Sequence, residues 1–240
     1  AACFERTIRH QETHMDAAPA ADGMGTLKRF HRDLRDGVDY IAGEKGLLAI
    51  TLYFMFSNFA GGGGAGLYLP FFRNHAEQFA MWPVAAVTLY TIVSSFTEAG
   101  RVVGGVVHYK VKLPTGHKFA IAMSIYVLIG VIECTLLFLP IPIMALVFFV
   151  DGMLGVTSYN IRIAATQSYL PDNKRARFNG TFQMLTSVGS LCGTLLAGSL
   201  AEVLPERGVI VLFSAIGLSA AWLFIFRRRR EVAAIYNREA

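Results

Sequence analysis

Residues 167–180 read Gln-Ser-Tyr-Leu-Pro-Asp-Asn-Lys-Arg-Ala-Arg-Phe-Asn-Gly, a short basic connection between two long apolar runs. The run before it, at about 142–169, and the run after it, at about 178–204, each exceed the roughly 20 mostly apolar residues that a helix needs to cross a bilayer. Pro171 stops one helix, and Asp172 is placed to cap the next. Working outward, four more such runs occur, at about 47–72, 79–107, 119–139 and 208–226. A bilayer core offers no partner to an unpaired backbone donor or acceptor, so only helices or a closed barrel can span it. The runs are continuous rather than alternating, which excludes the barrel.

The charges between the runs are lopsided. Lys28, Arg29, Arg32, Arg35 and Lys45 precede the first run, Lys110, Lys112 and Lys118 lie between the second and third, and Lys174, Arg175 and Arg177 between the fourth and fifth. Arg227, Arg228, Arg229, Arg230 and Arg238 follow the last, whereas the remaining three connections hold only Arg73 and Arg207. Basic loops stay cytoplasmic, so both ends of the bundle are expected inside.

Composition agrees. Of the 240 residues, 54% are hydrophobic and 16% charged, and the mean hydropathy is +0.45. The net charge of +5 is accounted for by the basic loops and calls for no nucleic-acid partner. Cys3, Cys134 and Cys192 form no CxxC pair, so neither a disulfide framework nor a metal site is expected. No short apolar segment with a cleavage site opens the chain, and no signal peptide is expected.

Four regions follow: a flexible cytoplasmic linker over 1–25, an amphipathic interfacial helix over 26–45, a six-helix transmembrane bundle over 46–226 and a basic cytoplasmic tail over 227–240. The interfacial helix is read from Leu27, Phe30, Leu34, Val38 and Ile41, which recur at spacings of three and four. In the first span, the glycines from Gly61 to Gly66 lower helix propensity and are expected to bend or unwind it, unless they serve close helix packing. Their formal match to a dinucleotide fingerprint is accidental, because no strand precedes it. Gly100 with Gly104 and Gly189 with Gly193 put small residues four apart, a spacing that lets backbones approach. Tyr68-Leu69-Pro70 is echoed by Tyr169-Leu170-Pro171, as two three-helix units of opposite topology would give.

Ionisable groups inside spans are costly, about 2.5–3.5 kcal/mol for Asp, Lys or Arg at mid-bilayer, and therefore mark candidate sites. Three polar stripes stand out: Thr91, Ser95, Glu98 and Arg101; Asp151, Gly155, Ser158 and Arg162; and Asn179, Gln183, Thr186 and Ser190. Together they predict a shared hydrated interior. Asp151, at mid-span, is the leading proton carrier, with Asn58, Ser158, Arg162 and Gln183 as further candidates for a substrate or proton pathway. Glu98 and Arg101, three apart, are expected to pair in a gating or structural role. Glu133 lies about six residues from the outer end of its span and is given little functional weight.

The 167–180 connection resembles the Q-x-x-x-P-D-x-x-R-x-R-x-x-G segment of major facilitator superfamily exporters, in particular the siderophore and macrolide efflux permeases. Asp33-Leu34-Arg35-Asp36-Gly37, entering the first span, strengthens the resemblance, which covers about residues 26–230. It implies an all-α membrane protein, six transmembrane helices in two inverted three-helix repeats, forming the C-terminal half of a twelve-helix transporter. By the same resemblance the first and fourth spans line a central cavity. The family's G-x-x-x-D-R-x-G-R-R loop would fall at Gly104 to Lys112, where the acidic residue is missing and His108 stands near its place.

The expected activity is proton-coupled efflux of small organic or amphipathic compounds by alternating access. The expected partners are the lipid bilayer, a small-molecule substrate, protons and a missing N-terminal six-helix half, with no nucleic acid. The competing reading is a non-transporting fragment or scaffold half that needs a partner chain. No HExxH, GxSxG or Walker sequence occurs, so neither an enzyme nor a cofactor or metal is expected. The expected location is a bacterial inner (cell) membrane, with both termini cytoplasmic.

Overall fold

A computed structural model describes residues 26–111 and 114–238. The linker expected over 1–25 lies outside the described residues. Among the described residues eight α-helices run in order: α1 (Thr26–Gly43), α2 (Lys45–Asn74), α3 (Ala86–Lys110), α4 (Lys118–Thr135), α5 (Ile141–Tyr169), α6 (Asp172–Ala201), α7 (Glu206–Ala220) and α8 (Arg229–Tyr236). No strand occurs among the described residues. A 3-10 turn (Leu136–Phe138) extends α4, and a π turn (Ala221–Phe226) extends α7.

With those extensions α2, α4, α5, α6 and α7 are long and apolar enough to cross a membrane. At 25 residues α3 has the length, but Thr91, Ser94, Ser95, Thr97, Glu98 and Arg101 dilute its apolar character. It also starts later than the sequence predicts, because Pro83 interrupts the approach and the chain becomes helical only at Ala86.

The packing has an internal symmetry. Helix α2 packs on α6 and α7, α5 packs on α3 and α4, and α4 packs on α7. Exchanging each of α2, α3 and α4 with the helix three places later maps this set onto itself, as two inverted three-helix repeats require. The glycine pairs sit at the two equivalent crossings. A Cβ on Gly189 or Gly193 would strike the backbone of Met55 or Phe59, and one on Gly100 or Gly104 would strike Phe149 or Met153. Each pair lets two backbones touch where any side chain would hold them apart.

By this correspondence Phe149 and Met153 take the places of Met55 and Phe59. The Tyr-Leu-Pro echo is out of step with it by about two turns. Tyr68 to Pro70 lie inside α2, whereas Leu170 and Pro171 end α5 and start α6.

Helix α2 does not unwind at its glycines and stays helical from Lys45 to Asn74. A Cβ on Gly62 would meet the Ser190 backbone at 2.7 Å, and one on Gly63 would meet the Phe213 ring. The packing of α6 and α7 holds the backbone in place, outweighing a propensity cost of about 1 kcal/mol per glycine.

At the basic end the two resemblance motifs meet. Arg177 reaches Asp33 at 3.2 Å and Asp36 at 3.4 Å. Gly37 lies so close to Thr181 that a Cβ there would collide with its hydroxyl. Helix α1 is thereby docked on α6, with Ile41 buried and Lys28, His31, Arg35 and Val38 exposed. Asp172 does not cap α6. The N-cap is Pro171, and Asp172 in the first turn pairs with Arg175 at 2.7 Å. Arg175 Nε also donates to the Leu170 carbonyl at 3.1 Å, tying down the end of α5.

The basic tail folds back as α8, burying Val232, Ile235 and Tyr236 beneath the bundle. Gly46 makes room for it, since a Cβ there would meet Ile235 at 2.6 Å. Asn237 accepts the backbone N–H of Phe119 at 3.0 Å and so links α8 to the start of α4.

Candidate functional site

One cavity gathers Glu98, Arg101, Glu133 and Asp151. It has a volume of about 540 Å³ and lies among α2, α3, α4 and α5. Helix α3 supplies Thr91, Ser95, Glu98 and Arg101, α4 supplies Glu133, and α5 supplies Phe148 and Asp151. Gly61, Ala65 and Tyr68 of α2 close it.

Close packing places these groups. A Cβ on Gly100 would strike the Phe149 carbonyl and one on Gly152 the Thr97 carbonyl, so α3 and α5 touch on either side of Asp151. Gly61 of α2 faces Glu133, and a Cβ there would stand in ordinary contact, 3.9 Å from Glu133 Oε1. The hydroxyls of α3 satisfy their own helix: Thr91 donates to the Val87 carbonyl at 3.0 Å and Ser95 to that of Ile92 at 2.6 Å. Their lone pairs remain available to the cavity.

Arg101 Nη1 donates to Glu98 Oε1 at 2.6 Å, as their spacing predicts. Among the described residues Arg101 is the one guanidinium lining the cavity, and its charge acts on Asp151 as well. Among the described residues, Glu133 and Asp151 have neither an ion pair nor a hydrogen-bonded side-chain partner. The cavity therefore holds two carboxylates with no ion pair of their own, facing a wall of Tyr68 and Phe148, whose rings meet edge to face at 5.7 Å.

The other candidates lie elsewhere. Ser158 and Arg162, both 6% exposed, are buried nearer the basic end. The Arg162 guanidinium stands over the rings of Phe182 (4.4 Å), Tyr159 (5.2 Å) and Phe54 (5.4 Å) and has no ion pair among the described residues. Aromatic faces take the place of a counter-ion there. Below them the Tyr126 and Tyr236 hydroxyls share a hydrogen bond of 2.8 Å. Burial holds the Tyr236 phenol, on α8, well above the ordinary tyrosine range.

Asn58 and Gln183 are exposed on the α2–α6 pair. Asn58 donates to the Phe54 carbonyl at 2.7 Å, and Gln183 to Ser187 Oγ at 3.4 Å. The three polar stripes thus do not converge on one interior. The α3 stripe and Asp151 share the cavity, Ser158 and Arg162 enter an aromatic cluster, and Asn179 and Gln183 face outward.

Glu133, given little weight by its depth along the span, lines the cavity. Its direction around α4 brings it into the cavity, opposite Gly61. Nothing in the linear spacing of α4 shows that.

The family model of the Major Facilitator Superfamily matches residues 115–240. The chain belongs to this superfamily. The matched region runs from the approach to α4 through α8. Among the curated proteins and among the solved structures, none matches the chain.

For a member of the superfamily, the stretch from Gly104 to Lys112 is where a charged signature loop is expected. Here His108 Nε2 lies 2.7 Å from Thr157 Oγ1. That hydroxyl gives its own hydrogen to the Met153 carbonyl at 2.8 Å, so His108 Nε2–H is the donor. This hydrogen bond joins α3 to α5 near the end of α3.

Proposed function

We propose that this superfamily member is the C-terminal half of a secondary active transporter, exporting small organic or amphipathic compounds in exchange for protons, in the manner of the siderophore and macrolide efflux branch. The observation that carries the reading is the pair of unpaired carboxylates, Glu133 and Asp151, in a cavity walled by tyrosine and phenylalanine. Intramembrane carboxylates on a water-accessible cavity are the groups that proton relays use. The aromatic wall suits an amphipathic substrate. Asp151 loads and releases the proton, while Glu98 with Arg101 acts as the gate beside it. Members of the superfamily are transporters, and the reading is of a transporter and not an enzyme.

A partner half belongs to the same proposal. Asn58, Gln183 and Ser187 are exposed at mid-span on α2 and α6, and amides facing lipid there are costly. A second six-helix half packed across this face, enclosing a wet cleft, supplies protein and water to them. The basic end then faces the cytoplasm of a bacterial cell, with both termini inside.

The test uses inside-out membrane vesicles loaded with a pH-sensitive dye and a panel of lipophilic fluorescent substrates. Substrate-dependent proton movement is expected with the protein. It is expected to disappear with Asp151→Asn at an unchanged thermal transition. Unchanged flux in that variant makes Asp151 structural. No flux from the unaltered protein with its partner half present favours the non-transporting scaffold.

A further inference from the structure

A second concavity lies at the basic end, between the start of α2 and the end of α7, outside the transport cavity. Its volume is about 340 Å³. Leu52, Leu223 and Phe224 line it along the helices, and Lys45, Arg227 and Arg228 stand at its mouth. The π turn shapes it: the Arg227 N–H bonds back five residues, to the Trp222 carbonyl at 3.1 Å. Arg227 and Arg228 thereby sit one turn beyond Leu223 and Phe224, on the same groove.

The charges there are largely uncommitted. Arg228 reaches Glu231 only at 3.7 Å, and among the described residues Lys45 and Arg227 form no ion pair. Trp222 and Phe226, on the same π turn, are 61% and 43% exposed, aromatic residues of the kind enriched at membrane interfaces.

We infer that this groove is a binding site for an anionic phospholipid of the leaflet at the basic end: Lys45, Arg227 and Arg228 take the phosphate, and Leu52, Leu223 and Phe224 take the upper acyl chain. The assignment rests on reading α2 and α7 as membrane spans with their basic ends together, and not on the transport proposal. The combination of features selects the ligand. Three cations alone would suit any phosphate, and an apolar groove alone any lipid. Cations at the mouth of an apolar groove between two spans suit an anionic lipid.

The experiment is native mass spectrometry of the whole protein in a non-ionic detergent, titrated separately with phosphatidylglycerol, phosphatidylcholine and soluble glycerol phosphate. Phosphatidylglycerol adducts are expected to survive at lipid concentrations roughly tenfold lower than those of phosphatidylcholine, the scale set by cations near an anionic headgroup. Glycerol phosphate is expected to leave no adduct. A Lys45→Gln, Arg227→Gln, Arg228→Gln variant is expected to lose the preference, and Leu52→Trp, which fills the groove, to lose both lipids. Arg230→Gln, outside the groove, is expected to keep it. Equal retention of the two lipids by the unaltered protein overturns the inference without any variant. So does a glycerol phosphate adduct of comparable strength, which makes the site one for free phosphate. An equal loss in Arg230→Gln also overturns it, because the attraction is then diffuse surface charge.

Discussion

Gly37 shows how much one residue decides at the basic end. Its hydrogen is all that fits against Thr181. Gly37→Ala is expected to destabilise the docking of α1 by about 1–3 kcal/mol through overpacking, and Thr181→Ala in the same chain to recover most of that. Limited proteolysis within α1 reads both, and additive losses would show that the two residues do not share a contact. The ion pairs of Arg177 with Asp33 and Asp36 are partly exposed and add only about 0.2–1 kcal/mol each. Tyr236 gives a pH-dependent counterpart. Its folded pKa is raised, so the neutral phenol's contribution is complete below the unfolded value of about 10 and is lost as pH rises beyond it toward the folded one. Alkaline pH is therefore expected to release α8, seen as faster cleavage after Arg228. Tyr236→Phe is expected to blunt that response while costing about 0.5–1.5 kcal/mol at neutral pH for the lost hydrogen bond to Tyr126. Both residues carried weak signals in the sequence. Gly37 was part of a resemblance motif, but its partner, Thr181, lies far along the chain.

Among the elements, α2 and α3 depart most from sequence expectation, for opposite reasons. In α2 intrinsic propensity argued for a break, and the contacts of Ser190 and Phe213 on its glycines preserve the helix. In α3 the polar residues lower its apparent suitability for lipid, yet they line a cavity and Gly100 and Gly104 are buried against α5. The two crossings make a graded prediction. Gly100→Val and Gly193→Val are each expected to lower the unfolding midpoint in detergent, with a cost of roughly 1–3 kcal/mol or more, because backbone lies against both sites. Gly198→Ala, with nothing within 4 Å of the added Cβ, is expected to stabilise α6 by up to about 1 kcal/mol. A neutral result at Gly100 or Gly193 would mean that the helices can separate there without loss. The spacing of these glycines identified them as packing surfaces; which helix each meets was decided by the repeat symmetry.

On the scale of the molecule, sidedness is the property that charge alone sets, and it can be checked directly. In a background without native cysteines, Ala80→Cys in the α2–α3 connection is expected to react with a membrane-impermeant maleimide added outside intact cells. Arg230→Cys is expected to react only after lysis, and the reverse pattern would invert the orientation. The sequence by itself indicated that the chain is a helical membrane protein and roughly where its long apolar helices run. These follow from transfer energies and backbone saturation, which act on each segment separately. The superfamily, too, was carried by a local motif. What only the tertiary structure decided is which polar groups meet. Asp151, Glu98 and Arg101 share a cavity with Glu133, whereas Arg162 is enclosed by aromatic rings and Asn58 and Gln183 face outward. A stripe fixes a direction around one helix only. Where that direction leads depends on how closely neighbouring backbones approach, and here glycines on facing helices set that distance.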